Sequence, residues 1–323
     1  MSLARLHIPA LANGEKLSPA DFAGLGRGRI FYVMAVATAG YAKFFTDHNV
    51  VDDADRTNSV YNTIDAAISA CTAGRGDTIF VSEGHTETVT ATSIALDVAG
   101  VTVIGLGNGT NRPVLTFSTA GATITVTGAN CAWHNIDHLG NAVDVASAFT
   151  IGAAIGFLLE GNTFREGSAV LNFLSIVTTG AVDNEADNLK VFGNSWDSRA
   201  TATLAFVSIL AAERNVRLED NYVIKASTSN VGHFFTLAAK VVTNFRVMRN
   251  ILVIVGDANA TVGIFATGSS TTNTGIVAYN LVNSLDTTTE LIMTAALNLA
   301  QFENYYTGTI TATGKLWPVV DAA

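Results

Sequence analysis

Short bursts of alternating apolar and polar residues, each closed by an asparagine, fill the second half of the chain. Asn188-Leu-Lys-Val-Phe-Gly-Asn194 is followed by Asn215-Val-Arg-Leu-Glu-Asp-Asn221, Asn244-Phe-Arg-Val-Met-Arg-Asn250 and Asn298-Leu-Ala-Gln-Phe-Glu-Asn304. Weaker copies occupy 129–135, 156–162 and 274–280. Leu189 and Val191, Val216 and Leu218, Phe245 and Val247 share one parity; Lys190 and Phe192, Arg217 and Glu219, Arg246 and Met248 share the other. A period of two over so few residues predicts a short strand with an apolar inner face. Asparagine tolerates left-handed backbone and bonds its own main chain, so it suits the corner at either end. The closing residues Asn135, Asn162, Asn194, Asn221, Asn250, Asn280 and Asn304 are 27, 32, 27, 29, 30 and 24 residues apart. A repeat of that length marks a coil that stacks on itself. The seven asparagines are therefore expected to form one structural ladder, side chain bonded to side chain.

More apolar runs lie between the bursts, at 171–177, 204–210, 234–238, 262–266 and 291–296. Each repeat thus holds two or three short strands. With parallel strands about 4.8 Å apart, that describes a parallel β-helix. The leucine consensus of the rival leucine-rich repeat is absent. Upstream, 30–33 predicts a first strand. Residues 59–71 have helical spacing at Val60, Ile64, Ala67, Ile68 and Cys71, with Asn58 or Ser59 as cap. Such a helix would cover the open end of the coil, where bare strand edges otherwise invite pairing. From Gly76 the coil proper is expected, with strands at 88–95, 101–106 and 114–117 and a turn at 82–85. Residues 1–29 are broken by Pro9, Asn13-Gly14, Pro19 and three glycines, yet carry Leu3, Leu6, Ile8, Leu11 and Phe22. They read as an extended arm whose apolar side chains contact a partner, or as a plain frayed end. The expected division is an arm over 1–29, first strand and cap over 30–75, β-helix over 76–310, and a tail over 311–323.

Composition sharpens this reading. Charged residues are only 14% of the 323 and apolar residues 49%, with 28 glycines. A usual domain is about one quarter charged, so part of the outer surface is expected to be covered. The length alone would suggest about two domains, but a solenoid grows as one body. The net charge of −9 argues against nucleic-acid binding. No run is long and apolar enough for a membrane helix. The first residues lack the apolar core of a signal peptide. Cys71 and Cys131 have no metal spacing and are expected to be free, buried thiols rather than a disulfide.

One resemblance adds to this. Residues 61–68, Tyr-Asn-Thr-Ile-Asp-Ala-Ala-Ile, and 76–85, Gly-Asp-Thr-Ile-Phe-Val-Ser-Glu-Gly-His, resemble the opening of pectin-lyase-like right-handed β-helix proteins. Val-Thr-Val-Ile-Gly-Leu-Gly-Asn-Gly at 101–109 and Arg-Pro-Val-Leu-Thr-Phe at 112–117 resemble, more narrowly, a family of tailed-phage β-helix polypeptides. The resemblance runs over roughly 30–310. It implies a virion protein of the head-decoration or spike type, assembled in the host cytoplasm as a homotrimer. The arm would attach it to the major capsid protein or another virion protein. No catalytic residue carries over.

Candidate chemistry is sparse. Four positions before the closing asparagines stand Cys131, Leu158, Lys190, Arg217, Arg246, Ile276 and Ala300. Lys190, Arg217 and Arg246 would form an outward basic stripe, a contact for an acidic partner or sugar acid. The plainer account is local pairing with Glu219 and Asp220, their stems lying over apolar neighbours. Glu160 and Glu219 fall two rungs apart, at roughly 9–10 Å just beyond the reach of a glycosidase pair, with Phe192 between. His85, His134, His138 and His233 are expected at the surface or in turns. Residues 46–58 lack the glycine turn and terminal glutamate of a calcium loop, and Gly105-Leu-Gly-Asn-Gly109 lacks the lysine and helix of a phosphate loop. The reading is an all-β, right-handed parallel β-helix (solenoid) with an N-terminal arm and short capping helix. It is expected to be a non-enzymatic structural virion protein without cofactor or metal. The alternatives are a tailspike-type polysaccharide depolymerase and a non-cleaving host-glycan adhesin.

Overall fold

The computed structural model describes residues 28–35, 59–91, 93–200, 204–226, 233–238, 240–255, 265–268, 270, 272–283, 297–307 and 317–318. The arm residues Leu3, Leu6, Ile8, Leu11 and Phe22 lie outside these, as do 291–296 and the acidic stretch 46–58.

Inner apolar positions recur once per turn, and the chain winds as a parallel β-solenoid whose turns feed three sheets. Sheet A has eleven strands, with Ile30–Val33 near one end and Ala300–Phe302 at the other. Sheet B has ten, from Thr86–Val89 to Trp317–Pro318, and sheet C seven, from Ile94–Leu96 to Ala266–Thr267. Neighbours pair in parallel and in strict register: Lys190 lies beside Arg217, and Arg217 beside Arg246. Tyr305–Thr307 with Trp317–Pro318 is the antiparallel exception. Each inward position is a column. Sheet A stacks Val103, Trp133, Leu159, Val191, Leu218, Val247 and Val277. Sheet B stacks Leu115, His138, Phe164, Trp196, Val223, Leu252 and Val282. All are buried, and each large aliphatic or aromatic side chain contributes about 1.5–3 kcal/mol by leaving water.

Three expectations shift. The helix runs Ile64–Ser69 with Thr63 as cap, its hydroxyl accepting from Ala66 N at 3.3 Å. Val60 and Tyr61 pair instead with Tyr32 and Val33, because β-branched and aromatic residues beside an open sheet edge gain more as strand. The expected strand at 88–95 is two, Thr86–Val89 and Ile94–Leu96, split by a turn in which Thr90 N donates to Ser93 Oγ at 2.8 Å. The histidines are not all at the surface. His138 is fully buried on the inner face of sheet B, stacked on Phe164 with ring centres 4.6 Å apart. The Trp133 indole donates to its Nε2 at 3.2 Å, so Nδ1 carries the proton and faces Thr163 O at 3.3 Å. Burial lowers its pKa to about 3, keeping the ring neutral. His85 and His233 are also buried.

The corners separate two roles that one residue type fills. Where sheet C returns to sheet A, Asn130, Asn188, Asn215, Asn244 and Asn298 take positive φ between 49° and 63°. Where sheet A turns into sheet B, the left-handed residue is the one before the closing asparagine: Gly161, Gly193, Asp220, Arg249, Tyr279 and Glu303. The closing asparagine then points inward. Asn162, Asn194, Asn221, Asn250, Asn280 and Asn304 are all buried. Each Nδ2 from Asn162 to Asn280 donates to Oδ1 of the next, at 3.2, 3.1, 3.0, 3.0 and 2.9 Å. The same Oδ1 accepts the preceding asparagine's backbone N–H at 2.9–3.1 Å. Asn135 is not part of this ladder. It occupies the left-handed position (φ 57°) and bonds Gly105 O and Gly107 O. Ile136 takes the ladder position, its N–H donating to Asn162 Oδ1 at 3.0 Å.

Candidate functional site

Alternation turns every second residue of sheet A outward, and register stacks those residues into two columns. One reads Ala132, Leu158, Lys190, Arg217, Arg246, Ile276 and Ala300; the other His134, Glu160, Phe192, Glu219, Met248, Ala278 and Phe302. Cys131, expected in the first of these columns, is instead buried, as is Trp133 two residues on, because the turn that holds them is displaced by one residue at Asn135. Cys131 and Cys71 are free thiols; burial pushes Cys71 up to about 12, so neither is a ready nucleophile.

Lys190, Arg217 and Arg246 stand on three successive strands, as the spacing predicts. Like charges that close cost on the order of 1 kcal/mol per pair even in water, so compensation is needed. Glu219 supplies it. Its carboxylate accepts from Arg217 Nε at 2.8 Å and Arg249 Nη2 at 3.0 Å, with Arg246 Nε at 3.9 Å. Burial pushes the Glu219 carboxyl up, but the bonds from Arg217 and Arg249 outweigh it and hold the group below its ordinary range. Arg249 also grips Asp220 through two bonds, 2.7 and 2.8 Å. The Arg217 guanidinium lies 5.0 Å from the Phe192 ring centre. Local pairing thus accounts for Arg217 and Arg249. Arg246 is held only at the edge of ion-pair range, and Lys190 makes no ion pair among the described residues. Four cations therefore face two carboxylates. Farther along the face, His134 Nδ1 is 3.3 Å from Glu160, while burial lowers the histidine's pKa and Glu160 partly offsets this.

A second polar group was missed. Behind the inner column of sheet B, Glu166, Ser198 and Lys225 follow one another in the fourth position of three successive strands, all buried. Glu166 Oε2 accepts from Arg199 N at 2.6 Å and Ala200 N at 2.9 Å. Lys225 donates to Leu204 O and lies 5.0 Å from the Trp196 ring centre. Burial lowers the lysine to about 7 and raises the carboxyl. At the turn from sheet C to A, burial raises Glu213 to about 7 while its Oε2 accepts from Ala186 N at 3.0 Å. The signal was parity: Glu166 and Lys225 sit two residues beyond Phe164 and Val223, on the same inward side. Among the described residues, no three His, Cys, Asp or Glu are placed to hold a metal ion.

No protein-family model matches the chain, and no curated protein does. Among solved structures it is similar to a rhamnogalacturonan lyase, with 11% identity over 86% of this chain and 87% of the other and a TM-score of 0.30. The expectation of a protein outside the enzymes is corrected on this point, since the similar structure is an enzyme's. At that TM-score no residue, substrate or reaction is carried to this chain.

Proposed function

We propose that this β-solenoid is a component of a tailed-phage particle, a head decoration held through residues 1–29 by the major capsid protein or another virion protein. We further propose that the outer face of sheet A is its contact for an acidic surface polymer. The particle assignment is supported by the resemblance at 61–117. The contact is carried by one observation: Lys190, Arg217 and Arg246 stack outward on three adjacent strands of a chain whose net charge is −9. Guanidinium forks suit carboxylates along a polymer, and Phe192 beside them offers a flat apolar surface.

Two experiments test the reading. Antibody labelling of intact particles is expected to decorate the head; label confined to the tail, or none, overturns the placement. Calorimetric titration with polygalacturonate as probe is expected to give salt-sensitive binding, with neutral dextran silent. Arg246→Ser and Lys190→Ser together should weaken it roughly tenfold. Equal binding of dextran, or an unaffected variant, contradicts the contact. Following polymer length in the same mixture separates binding from cleavage.

A further inference from the structure

Around the corner between sheets A and B, the last turns of the solenoid differ from the earlier ones. Along the first outward position of sheet B the residues are Asp137, Thr163 and Ser195, then Tyr222, Ile251, Leu281 and Tyr305. On the sheet A side, His134 and Glu160 give way to Met248 and Phe302. Between them runs the left-handed ridge, reading Arg249, Tyr279, Glu303 on successive turns. Tyr222, Tyr279, Phe302 and Tyr305 are 42%, 45%, 50% and 37% exposed. At an aromatic side chain's usual area of about 150–250 Å², these four alone leave roughly 350 Å² of apolar surface in one patch. That matches the size at which patches on monomers are commonly functional.

We propose that this corner is an interface for a second copy of the chain, packed antiparallel about a twofold axis passing at Tyr279. The charge pattern selects this arrangement. Arg249 lies one turn to one side of Tyr279 and Glu303 one turn to the other. Arg249 commits Nε and Nη2 to Glu219 and Asp220, which leaves Nη1 uncommitted. Glu303 is exposed and makes no ion pair among the described residues. An antiparallel twofold sets Arg249 of each copy against Glu303 of the other. It also sets Ile251 against Tyr305, Met248 against Phe302, and Tyr279 and Leu281 against themselves. Each of these apolar positions, all within one turn of the axis, then meets an apolar one, as an isologous contact requires. A parallel threefold, the homotrimer that the resemblance implies, or a parallel twofold would instead bring Arg249 level with Arg249 and Glu303 with Glu303, which is repulsive. Two such patches with their rims approach the roughly 1,000 Å² that a specific interface needs, so association in the micromolar range is expected.

Light scattering of the full chain over a concentration series is expected to give a dimer. Glu303→Arg, which leaves only like charges facing, should raise its dissociation constant about tenfold or more. Tyr279→Cys, on the axis, should yield a disulfide-linked dimer on mild oxidation, the native thiols being at least half buried. Circular dichroism serves as the check that both variants remain folded. A monomer throughout, a trimer, a dimer indifferent to Glu303→Arg, or no cross-link at position 279 each overturns the proposal. None of these outcomes depends on polymer binding by sheet A.

Discussion

Two columns of asparagine rise along the same solenoid, six residues apart in every good copy of the motif, and they do different physics. The opening column, with Asn188, Asn215 and Asn244, is left-handed, half-buried at Asn188 and exposed at Asn215 and Asn244. Its side chains touch once per turn, Asn215 to Asn188 at 3.1 Å and Asn244 to Asn215 at 2.8 Å. There asparagine is chosen for backbone freedom, and its amide is incidental. The closing column is buried and its residues lie outside the left-handed region. Asn221 alone donates to Val191 O at 2.8 Å and Asn250 Oδ1 at 3.0 Å, and receives Asn194 N and Nδ2 at 3.0 and 3.1 Å. There the amide is the reason for the residue, because it satisfies main-chain groups at a corner where no strand can. The same letter at fixed spacing therefore marks tolerance of a conformation in one place and a hydrogen-bonded column in the other.

The difference should appear first in stability. Asn221→Leu keeps the volume but leaves Asn194 N–H buried without its acceptor and removes the second donor to Val191 O. We expect a loss of about 3–5 kcal/mol, read from the denaturation midpoint. Losing less than about 1 kcal/mol would mean that the closing column is no more than the opening one. On the outer face, Glu219→Ala removes the anion that Arg217, Arg246 and Arg249 share. A loss of about 1–2 kcal/mol, diminished by salt, is expected from a mostly buried carboxylate with exposed partners. Asn215→Gly, in the opening column, should change stability by less than about 0.5 kcal/mol, since glycine adopts positive φ freely.

Buried ionisable groups extend the contrast to pH. Lys225 has its folded pKa lowered to about 7, from an ordinary 10.5, by burial. Its contribution to stability is full above 10.5 and is lost as pH falls toward 7. Glu213 runs the other way. Its folded pKa, raised from 4.5 to about 7, gives stability present below 4.5 and lost as pH rises through 7. Lys225→Met should flatten the alkaline side of the stability profile and Glu213→Gln the side between 4.5 and 7. Unchanged profiles in both would mean that neither group is dry.

The sequence carried most of the architecture, because inward parity and a repeat of about thirty residues are written directly in the strands of sheets A and B. Sheet C was less sharply placed: the run 171–177 was expected as strand, while the strand is Val177–Thr179. An apolar run without alternation does not say where pairing starts. The misplaced Asn135 has a clear cause. Counting six residues from Asn130 reaches Ile136, whereas an asparagine one position early drew the register to itself and turned Trp133 and Cys131 outward on paper. The basic stripe was readable from spacing. Arg249 as the second arm around Glu219 was not, since the left-handed corner that aims it is invisible to alternation. Glu166 and Lys225 were readable by parity but contrary to the habit of placing charge outside.

Hydrogen exchange of the asparagine side-chain amides, followed by NMR on labelled protein, tests the stacked-turn account most directly. The Nδ2 protons of Asn194, Asn221, Asn250 and Asn280 should persist far longer than those of Asn215 and Asn244. Equally fast exchange in the two columns would contradict a continuous buried ladder, and with it the register that places every outward residue described above.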